Sequence, residues 1–347
     1  HPVGFFLIKL LENIEAKDFE IYCYSDRLNK DDMTNRLAGA SRQWQDSFNL
    51  DDDALAAKIR SDKIDILFEL SGHTKGNRLS MHAQKPAPVQ ISWGIGYPGT
   101  TGLSTIDILL TDVYHVAPAE DDLYPEKVVR LPAGLSCYEP PSYAPAVGEL
   151  PANQNGYVTF GSFSQSRKIT GEVLAAWASI LAAVPDSRIL LKYSGLDDEF
   201  NIKRIESAFA GEGIKPDRII IEGGAPHKEF LARYNAVDIG LDTFPYSGGI
   251  TTCEALWMGV HVVTLPGTTS ASRHASSHLS TVGLTKYIAG DLPAYVNIAT
   301  ELAKDLSELK MLRQGLRDRV AGSPLCDGAA FARQFGAAMR DIWQNQR

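Results

Sequence analysis

The sequence predicts an α/β fold with parallel sheets in two Rossmann-like domains. Short apolar strands alternate with amphipathic helices along most of the chain, which is the pattern of parallel sheets. The chain has 347 residues, more than one hydrophobic core usually holds. A segment rich in proline and glycine, residues 143–156, separates two series of strands and helices. We therefore predict an N-terminal domain over 1–150, a C-terminal domain over 151–330, and a final helix, 331–347, that packs back towards the first domain.

The first half is predicted to open with an amphipathic helix over residues 2–14, with a proline in its first turn. A Rossmann-like domain normally begins with a strand, so we infer that the sequence was cut after that strand. A helix at about 52–60 carries three aspartates at its start, which suits the positive end of the helix dipole. Residues 118–145, rich in proline, tyrosine and acidic residues, are predicted to be irregular. The predicted strands of this half are 19–25, 64–70, one that begins at residue 88, and 106–112.

The second half repeats the alternation of strands and helices. Helices are predicted at about 171–184 and 202–209, with another that begins near residue 226 and further helices at the C-terminal end. The predicted strands, each rich in β-branched or aromatic residues, are 157–164, 188–194, 218–223, 237–241, 260–265 and 285–290.

Residues 237–265 are predicted to form a strand, a glycine loop, a helix and a second strand. Backbone amides at the predicted helix start, Ile250-Thr251-Thr252, would point at one spot, which favours an anion such as phosphate, and two glycines before them would let the backbone approach it. Glu254 lies about one turn further along, placed to accept a hydrogen bond from a ribose hydroxyl. The alternative is a plain βαβ crossover in which the glycines only make a turn.

Two further segments carry groups that suit a nucleotide. Lys168 stands four residues past a predicted strand and just before a helix, so its ammonium could stabilise a leaving diphosphate. The segment 225–233 offers the backbone of Ala225, the ring of Phe230 and the guanidinium of Arg233, a set that could hold a nucleobase. A surface lysine and an ordinary first helical turn are the alternatives that spacing alone leaves open.

A polar loop, residues 71–76, follows the predicted strand 64–70 at the edge where α/β sheets bind ligands. A solvated loop with two glycine turns is the alternative. His274 and His278 are four residues apart and could bind a metal, but no glutamate lies between them to make HExxH, which favours a helix surface. We expect no GxSxG motif, Walker A loop or full GxGxxG after a strand, which argues against hydrolase, P-loop and dinucleotide oxidoreductase chemistry.

Composition bounds the class of protein. The hydrophobic fraction is 44%, which is ample for packed cores, and the formal net charge is −8, which argues against non-specific binding to nucleic acid or a membrane surface. The four cysteines are widely spaced without a zinc pattern, as expected of a reduced compartment. We see no signal peptide and no apolar run long enough to cross a bilayer, and we expect a cytoplasmic protein.

Several segments together resemble the catalytic region of the protein O-linked N-acetylglucosamine transferase and SPINDLY family, glycosyltransferase family 41. The similarity runs in order over nearly the whole chain, and its longest motif spans residues 238–267. The resemblance implies a GT-B fold, with two Rossmann-like domains whose parallel sheets face each other across a cleft, the nucleotide sugar in that cleft, and no metal or other cofactor. The segments that carry it are HPVG, DILFELSGHTKG, PAPVQISWGIGYPGTTG, IDILLTD, FGSFSQSRKIT, AAVPDSRILLK, DIGLDTFPYSGGITTCEALWMGVHVVTLPG, ASRHASS and SPLC.

The resemblance also implies roles for residues on the donor side. Gln165 and Lys168 match the pair at the diphosphate, and Glu254 matches the residue at the ribose. The positions that match the start of the base-binding helix are Ala225, His227, Phe230 and Arg233. The positions that match the phosphate contacts are Gly249, Ile250 and Thr251.

The resemblance places a second group on the sugar and acceptor side: His73, Thr74, Gly96 and Pro98. His1 matches the histidine of the catalytic cleft and is a candidate base, but a water-linked aspartate upstream or a phosphate oxygen of the substrate are alternatives.

Three departures from the family pattern are visible. The aspartate that precedes His1 in the family motif lies outside this chain, as do the tetratricopeptide repeats expected in the full-length protein. The segment WGIGYPGT has one glycine more than the usual motif. We expect a chain extended upstream through the strand and the aspartate to be more stable and more active.

The expected function is that of an inverting glycosyltransferase that moves N-acetylglucosamine from UDP-N-acetylglucosamine to serine or threonine hydroxyls of a protein or peptide acceptor. Within the same family, transfer of fucose from GDP-fucose, as in SPINDLY-like members, or of glucose to asparagine are alternatives. A non-catalytic module that binds a nucleotide sugar is another. A UDP-sugar epimerase would share the fold, but the sequence shows no clear pair of acid and base carboxylates.

Overall fold

The computed structural model describes residues 2–97 and 99–345, and the chain divides into two compact units. The first unit combines the chain up to Glu139 with the stretch that begins at Pro324, and the second is the continuous segment Pro140–Ser323. Each unit has its own parallel sheet of four or more strands, so the predicted α/β class is confirmed.

The elements alternate along the chain as the sequence predicts. The strands are β1 (Tyr22–Ser25), β2 (Gln43–Asp46), β3 (Ile66–Glu69), β4 (Val89–Trp93), β5 (Ile108–Thr111), β6 (Lys127–Arg130), β7 (Thr159–Ser162), β8 (Arg188–Lys192), β9 (Ile219–Glu222), β10 (Ile239–Leu241) and β11 (His261–Val263). The helices are α1 (Pro2–Asn13), α2 (Asp32–Gly39), α3 (Asp52–Ser61), α4 (Leu79–His82), α5 (Pro151–Asn155), α6 (Gly171–Ala183), α7 (Glu199–Gly211), α8 (His227–Arg233), α9 (Ile250–Trp257), α10 (His274–Val282), α11 (Leu292–Lys304), α12 (Leu306–Ala321) and α13 (Gly328–Asn345). No described helix has the length and apolar character needed to cross a lipid bilayer.

The boundary between the units lies earlier than residue 150, because the segment before α5 is bound to the second unit. The amide of Gly148 donates to Oδ1 of Asn235 at 2.8 Å, and Nδ2 of Asn235 donates to the carbonyl of Ala146 at 3.0 Å. The buried guanidinium of Arg313 donates to the carbonyls of Gly148 and Val237, each at 2.8 Å. These contacts tie residues 146–148 to α12 and to the start of β10.

In the first unit, two parallel ladders form: β1 with β2, and β3-β4-β5-β6 in that order. Helix α13 packs on the four-stranded sheet through aromatic side chains. The ring of Phe335 lies 5.1 Å from that of Trp93 and 5.6 Å from that of Phe68, and Phe331 stacks on Trp93 at 6.3 Å. The last helix therefore covers the sheet of the first unit, whose strands come from early in the chain.

In the second unit, five parallel strands lie in the order β11-β10-β7-β8-β9. The residues of β8 from Ile189 to Lys192 are buried, as expected of a central parallel strand covered on both faces. Asp238, just before β10, is 2% exposed and accepts hydrogen bonds from the amides of Thr159 (2.8 Å) and Ala152 (2.9 Å). Its carboxylate therefore fixes the start of the central strand β7.

The sequence reading missed α2, β2 and β6. Strand β2 has the polar sequence QWQD and is recognisable only from its pairing with β1, while β6 lies inside the stretch predicted to be irregular. The predicted strand 285–290 is wrong: a 3-10 turn occupies Thr285–Tyr287, and only Ile288 bridges to Thr264. The ring of Tyr287 instead packs on His261 at 5.1 Å.

Candidate functional site

The glycine loop between β10 and α9 is held by a buried carboxylate. Asp242, the first residue after β10, is 4% exposed and accepts hydrogen bonds from the amide of Gly248 (2.7 Å) and Oγ1 of Thr264 (2.6 Å). A Cβ at Gly248 would lie 2.6 Å from Oγ1 of Thr252, so this position requires glycine. Gly249 is the N-cap of α9, and no side chain caps the helix there. The first amides of α9, including those of Ile250 and Thr251, are therefore left for an anion.

Lys168 reaches this loop from the end of a 3-10 turn after β7. Its Nζ donates to the carbonyl of Ser247 at 2.7 Å and lies 4.0 Å from the ring centroid of Tyr246. Burial lowers the pKa of the Lys168 ammonium to about 8, and the carboxylate of Asp242 acts in the opposite direction. The structure therefore brings Lys168 to the loop just before α9, and an ammonium near uncapped helix amides is a combination that suits an anion.

Gln165, three residues before Lys168, lies at the same edge of the sheet. Its Nε2 donates to the hydroxyl of Tyr193, which follows β8, at 3.3 Å. The side chain thus spans the carboxyl ends of β7 and β8, where parallel α/β sheets bind ligands.

An aromatic cluster surrounds the start of α8. The ring of Phe230 packs edge-on against Phe163 (5.1 Å), Tyr234 (6.0 Å) and Tyr193 (6.3 Å), and Phe163 stacks on Tyr234 at 4.0 Å. Ala225 lies two residues before the helix and is partly exposed. The predicted base-binding residues Ala225 and Phe230 therefore lie in one segment, and the rings that pack on Phe230 form a cluster beside it.

The guanidinium of Arg233 is paired with a carboxylate of its own unit. Its Nε donates to both oxygens of Glu222, at 2.9 and 3.0 Å, and Lys192 donates to the same carboxylate at 3.2 Å. The guanidinium side chain is about one-third exposed. Arg233 therefore contributes to this site as part of an ion-paired cluster at the end of β9, which spacing along the sequence does not reveal.

His227 joins two groups that the sequence reading treated separately or missed. Its Nε2 lies 2.8 Å from Oε1 of Glu254, and its Nδ1 lies 2.8 Å from the hydroxyl of Tyr143. Glu254 is 3% exposed, and burial raises the pKa of its carboxyl group, while the hydrogen bond from His227 opposes that rise. A ribose hydroxyl that binds Glu254 would have to share or replace the His227 contact. Tyr143 was absent from the predicted site, because it lies far from α8 along the sequence.

Three of the predicted acceptor-side residues, His73, Thr74 and Gly96, lie in the loops that follow β3 and β4 in the first unit. Nε2 of His73 lies 3.1 Å from the carbonyl of Thr100, and its ring meets that of Tyr97 edge-on at 5.7 Å. Oγ1 of Thr74 donates to the carbonyl of Ser71 at 2.7 Å. A Cβ at Gly96 would collide with the carbonyl oxygen of Leu70, so only glycine fits between the two loops.

Two buried glutamates shape these loops, and the sequence reading singled out neither. Glu69 accepts from the amides of Ser71 (2.6 Å) and Gly72 (2.7 Å), and burial raises the pKa of its carboxyl group. Glu126, 3% exposed, accepts from the hydroxyls of Thr100 and Thr101 and from the amide of Thr101. The segment IDILFEL places Glu69 near the end of an otherwise apolar strand, and this pattern could have indicated a carboxylate that binds the following loop.

The expectation that no full GxGxxG follows a strand is wrong, because Gly94, Gly96 and Gly99 have this dinucleotide-binding spacing directly after β4. That pattern requires a helix to follow the glycines. The described residues from 94 to 107 form turns and irregular structure up to β5, so the match is not a dinucleotide site.

Two predicted site residues, His1 and Pro98, lie outside the described residues. Within the described chain, no group of three or more histidine, cysteine, aspartate or glutamate side chains is arranged to hold a metal ion.

Comparisons with known proteins agree on one family. The model of glycosyl transferase family 41 matches residues 1–136 and 149–335. A SPINDLY protein of Petunia hybrida, named a probable UDP-N-acetylglucosamine–peptide N-acetylglucosaminyltransferase, is 40% identical over 99% of this chain and 37% of its own length. The SEC protein of Arabidopsis thaliana, with the same enzyme name, is 30% identical over 99% of this chain and 36% of its own. The chain thus spans a little over a third of these relatives.

Solved structures agree with the fold. A mutant of the O-GlcNAc transferase of Thermobaculum terrenum matches with a TM-score of 0.93 and 38% identity, over 100% of this chain and 66% of that chain. The Anabaena protein Alr3699/HepE, solved with UDP and glucose, matches with a TM-score of 0.58 and 12% identity, over 98% and 96% of the two chains, which shows the fold alone. The GT-B class predicted from the sequence is confirmed.

The buried carboxyl group of Glu254 predicts a pH dependence of stability. Because its pKa in the folded protein is raised above the ordinary value of 4.5, the folded state keeps a proton that the unfolded chain has lost. Stability is therefore lost as the pH rises from about 4.5 through the raised pKa. We expect Glu254→Gln to remove this loss, so that urea unfolding measured at about pH 4.5 and about pH 8 differs less than in the wild type.

The matched control is Glu229→Gln, which changes an exposed glutamate of α8. It should leave the pH dependence as it is in the wild type. An identical pH dependence in Glu254→Gln and the wild type would contradict the buried, proton-binding state of Glu254.

Proposed function

The chain belongs to glycosyl transferase family 41, and on that basis we propose that it transfers N-acetylglucosamine from UDP-N-acetylglucosamine to serine and threonine hydroxyls of a protein. The observation that carries the proposal is the contact of Lys168 with the loop before α9. The ammonium holds the loop that leads into the uncapped start of α9, and in the proposed reaction both would stabilise the charge that develops on a departing diphosphate.

In the proposed reaction, the acceptor oxygen forms a bond to C1 of the sugar while the bond from C1 to the diphosphate breaks, with inversion at C1. The electron pair of the broken bond stays on the diphosphate, beside Lys168 and the amides of Ile250 and Thr251. The proton of the acceptor hydroxyl passes to a base, for which His1, an upstream aspartate and a phosphate oxygen remain the candidates. The aromatic cluster around Phe230 supplies stacking area for the base of the nucleotide.

A second donor, GDP-fucose, is favoured by one observation. The carboxylate of Asp197 packs against Gly223, two residues before Ala225. For a guanine bound next to Ala225, this carboxylate would accept hydrogen bonds from the ring N–H and the exocyclic amino group, whereas uracil has no such amino group.

A donor panel tests the proposal. The chain is incubated with a serine- and threonine-containing peptide and either UDP-N-acetylglucosamine or GDP-fucose, and the peptide mass is measured. We expect the mass of one N-acetylglucosamine to be added from the UDP-sugar. A fucosylated peptide from GDP-fucose alone would establish the second donor, and binding of either donor, seen as a thermal shift, without transfer would show a non-catalytic module.

Lys168→Met should lower the rate of transfer by about 10²-fold or more, because a neutral side chain no longer stabilises the departing diphosphate. The matched control is Arg167→Met, which removes the neighbouring exposed cation and should leave the rate close to that of the wild type. Equal rates for Lys168→Met and the wild type would refute the role of Lys168.

We also propose that transfer needs no metal ion, since Lys168 and backbone amides are assigned to the phosphates. The rate of transfer should be the same with and without EDTA. A loss in EDTA that magnesium or manganese restores would contradict this assignment.

A further inference from the structure

We propose that Asp242 is a positioning residue for transfer, whose buried carboxylate holds the glycine loop and keeps a negative charge beside the ammonium of Lys168. The inference rests on the proposed function, because it gives Asp242 a role that is exerted through Lys168.

Both the side chain and the backbone of Asp242 are held by hydrogen bonds. Its two carboxylate oxygens accept from the amide of Gly248 at 2.7 Å and from Oγ1 of Thr264 at 2.6 Å. Its backbone carbonyl accepts from the hydroxyl of Tyr295 at 2.8 Å, and that hydroxyl in turn accepts from Nε1 of Trp177 at 3.1 Å. Side chain and backbone of Asp242 are thus anchored to the strand β11 and to the helices α6 and α11.

Asp242 and Lys168 together hold the glycine loop between β10 and α9. Asp242 binds the amide of Gly248, and Lys168 binds the carbonyl of Ser247, the residue immediately before it. Asp242 and Lys168 therefore bind the N–H and the C=O of the same peptide group, the one that joins Ser247 to Gly248. Any displacement of that unit would move Gly249 and the start of α9, where the phosphates are proposed to bind.

The charge of Lys168 and the charge of Asp242 each favour the other. The groups that act on Lys168 are Asp242, which favours the charged ammonium, and Arg167, which opposes it, while the neutral ring of Tyr246 lies under the ammonium. Burial raises the pKa of Asp242 to about 6, against hydrogen bonds from Thr264 and Gly248 and the attraction of Lys168. Tyr295 faces Asp242 as a neutral hydroxyl, because burial holds its pKa well above 10.0.

The sign of the pH effect follows from these two groups. Below about pH 6 Asp242 takes up a proton, and above about pH 8 Lys168 loses one, so both are charged only between those values. Removal of the Asp242 charge should lower the pKa of Lys168, and a neutral lysine cannot stabilise a departing diphosphate. A purely structural Asp242 would leave the titration of Lys168 unchanged.

The test measures the pKa of Lys168 directly in the full chain without donor. The rate of acetylation of Lys168 by acetic anhydride is followed against pH by peptide mass spectrometry. We expect Asp242→Asn to lower this pKa by about one unit or more. The matched control is Thr264→Val, which removes one hydrogen bond to Asp242 but keeps its charge and should leave the pKa of Lys168 unchanged. An unchanged pKa in a folded Asp242→Asn variant overturns the proposal.

A second measurement covers the case in which Asp242→Asn does not fold. Lys168→Met removes the partner of Asp242, and its cost in urea unfolding should be larger at about pH 7, where Asp242 is charged, than at about pH 5, where it is neutral. Equal costs at the two pH values overturn the proposal. Neither measurement depends on transfer, whereas full transfer by Lys168→Met would overturn the proposed role of the lysine instead.

Discussion

Buried carboxylates that accept backbone amides at the ends of strands are the interaction on which both units depend. Loops at the carboxyl edge of a parallel sheet leave the hydrogen-bond ladder, and their amides need other acceptors. Asp242 supplies one for the glycine loop, Asp238 for the start of β7, and Glu69 and Glu126 for the loops after β3 and β4. Burial raises the pKa of Asp242, Asp238 and Glu69, and the amides that donate to them oppose that rise, so the geometry of each loop and the charge of its acid depend on each other.

The polar side chains around the starts of α8 and α9 already have partners in the protein. Lys168 binds the carbonyl of Ser247, Arg233 binds Glu222, and Glu254 binds His227. A ligand that binds these side chains must replace a hydrogen bond that already exists in the protein. Each new hydrogen bond therefore adds less to the binding free energy than it would at an unpaired group. In return, the side chains are held close to one orientation before the ligand arrives, which reduces the entropy lost on binding.

The sequence predicted the alternation of strands and helices and the glycine loop before α9, because apolar runs and glycine turns are local signals. That Lys168 and this loop act on the same ligand was implied only by the resemblance to the family. It could not predict β2 or β6, which have short or polar sequences and exist through pairing with neighbouring strands. It also could not predict that Tyr143 meets His227 or that Arg233 is paired with Glu222, since these contacts join distant parts of the chain. Asp242 was inside the best-predicted motif, yet its role depends on Thr264 and on burial, neither of which has a sequence signature.

The path of the chain between the two units has a consequence for how the molecule is made. The second unit is one continuous segment, Pro140–Ser323, whereas the first unit needs α13, which follows that segment. During synthesis, residues of the second unit can pack as soon as they leave the ribosome. Trp93 and Phe68 lack their contacts with Phe331 and Phe335 until α13 has been made. The unit that begins first along the chain is therefore completed last, and the apolar face of its sheet stays exposed until the final helix has been synthesised.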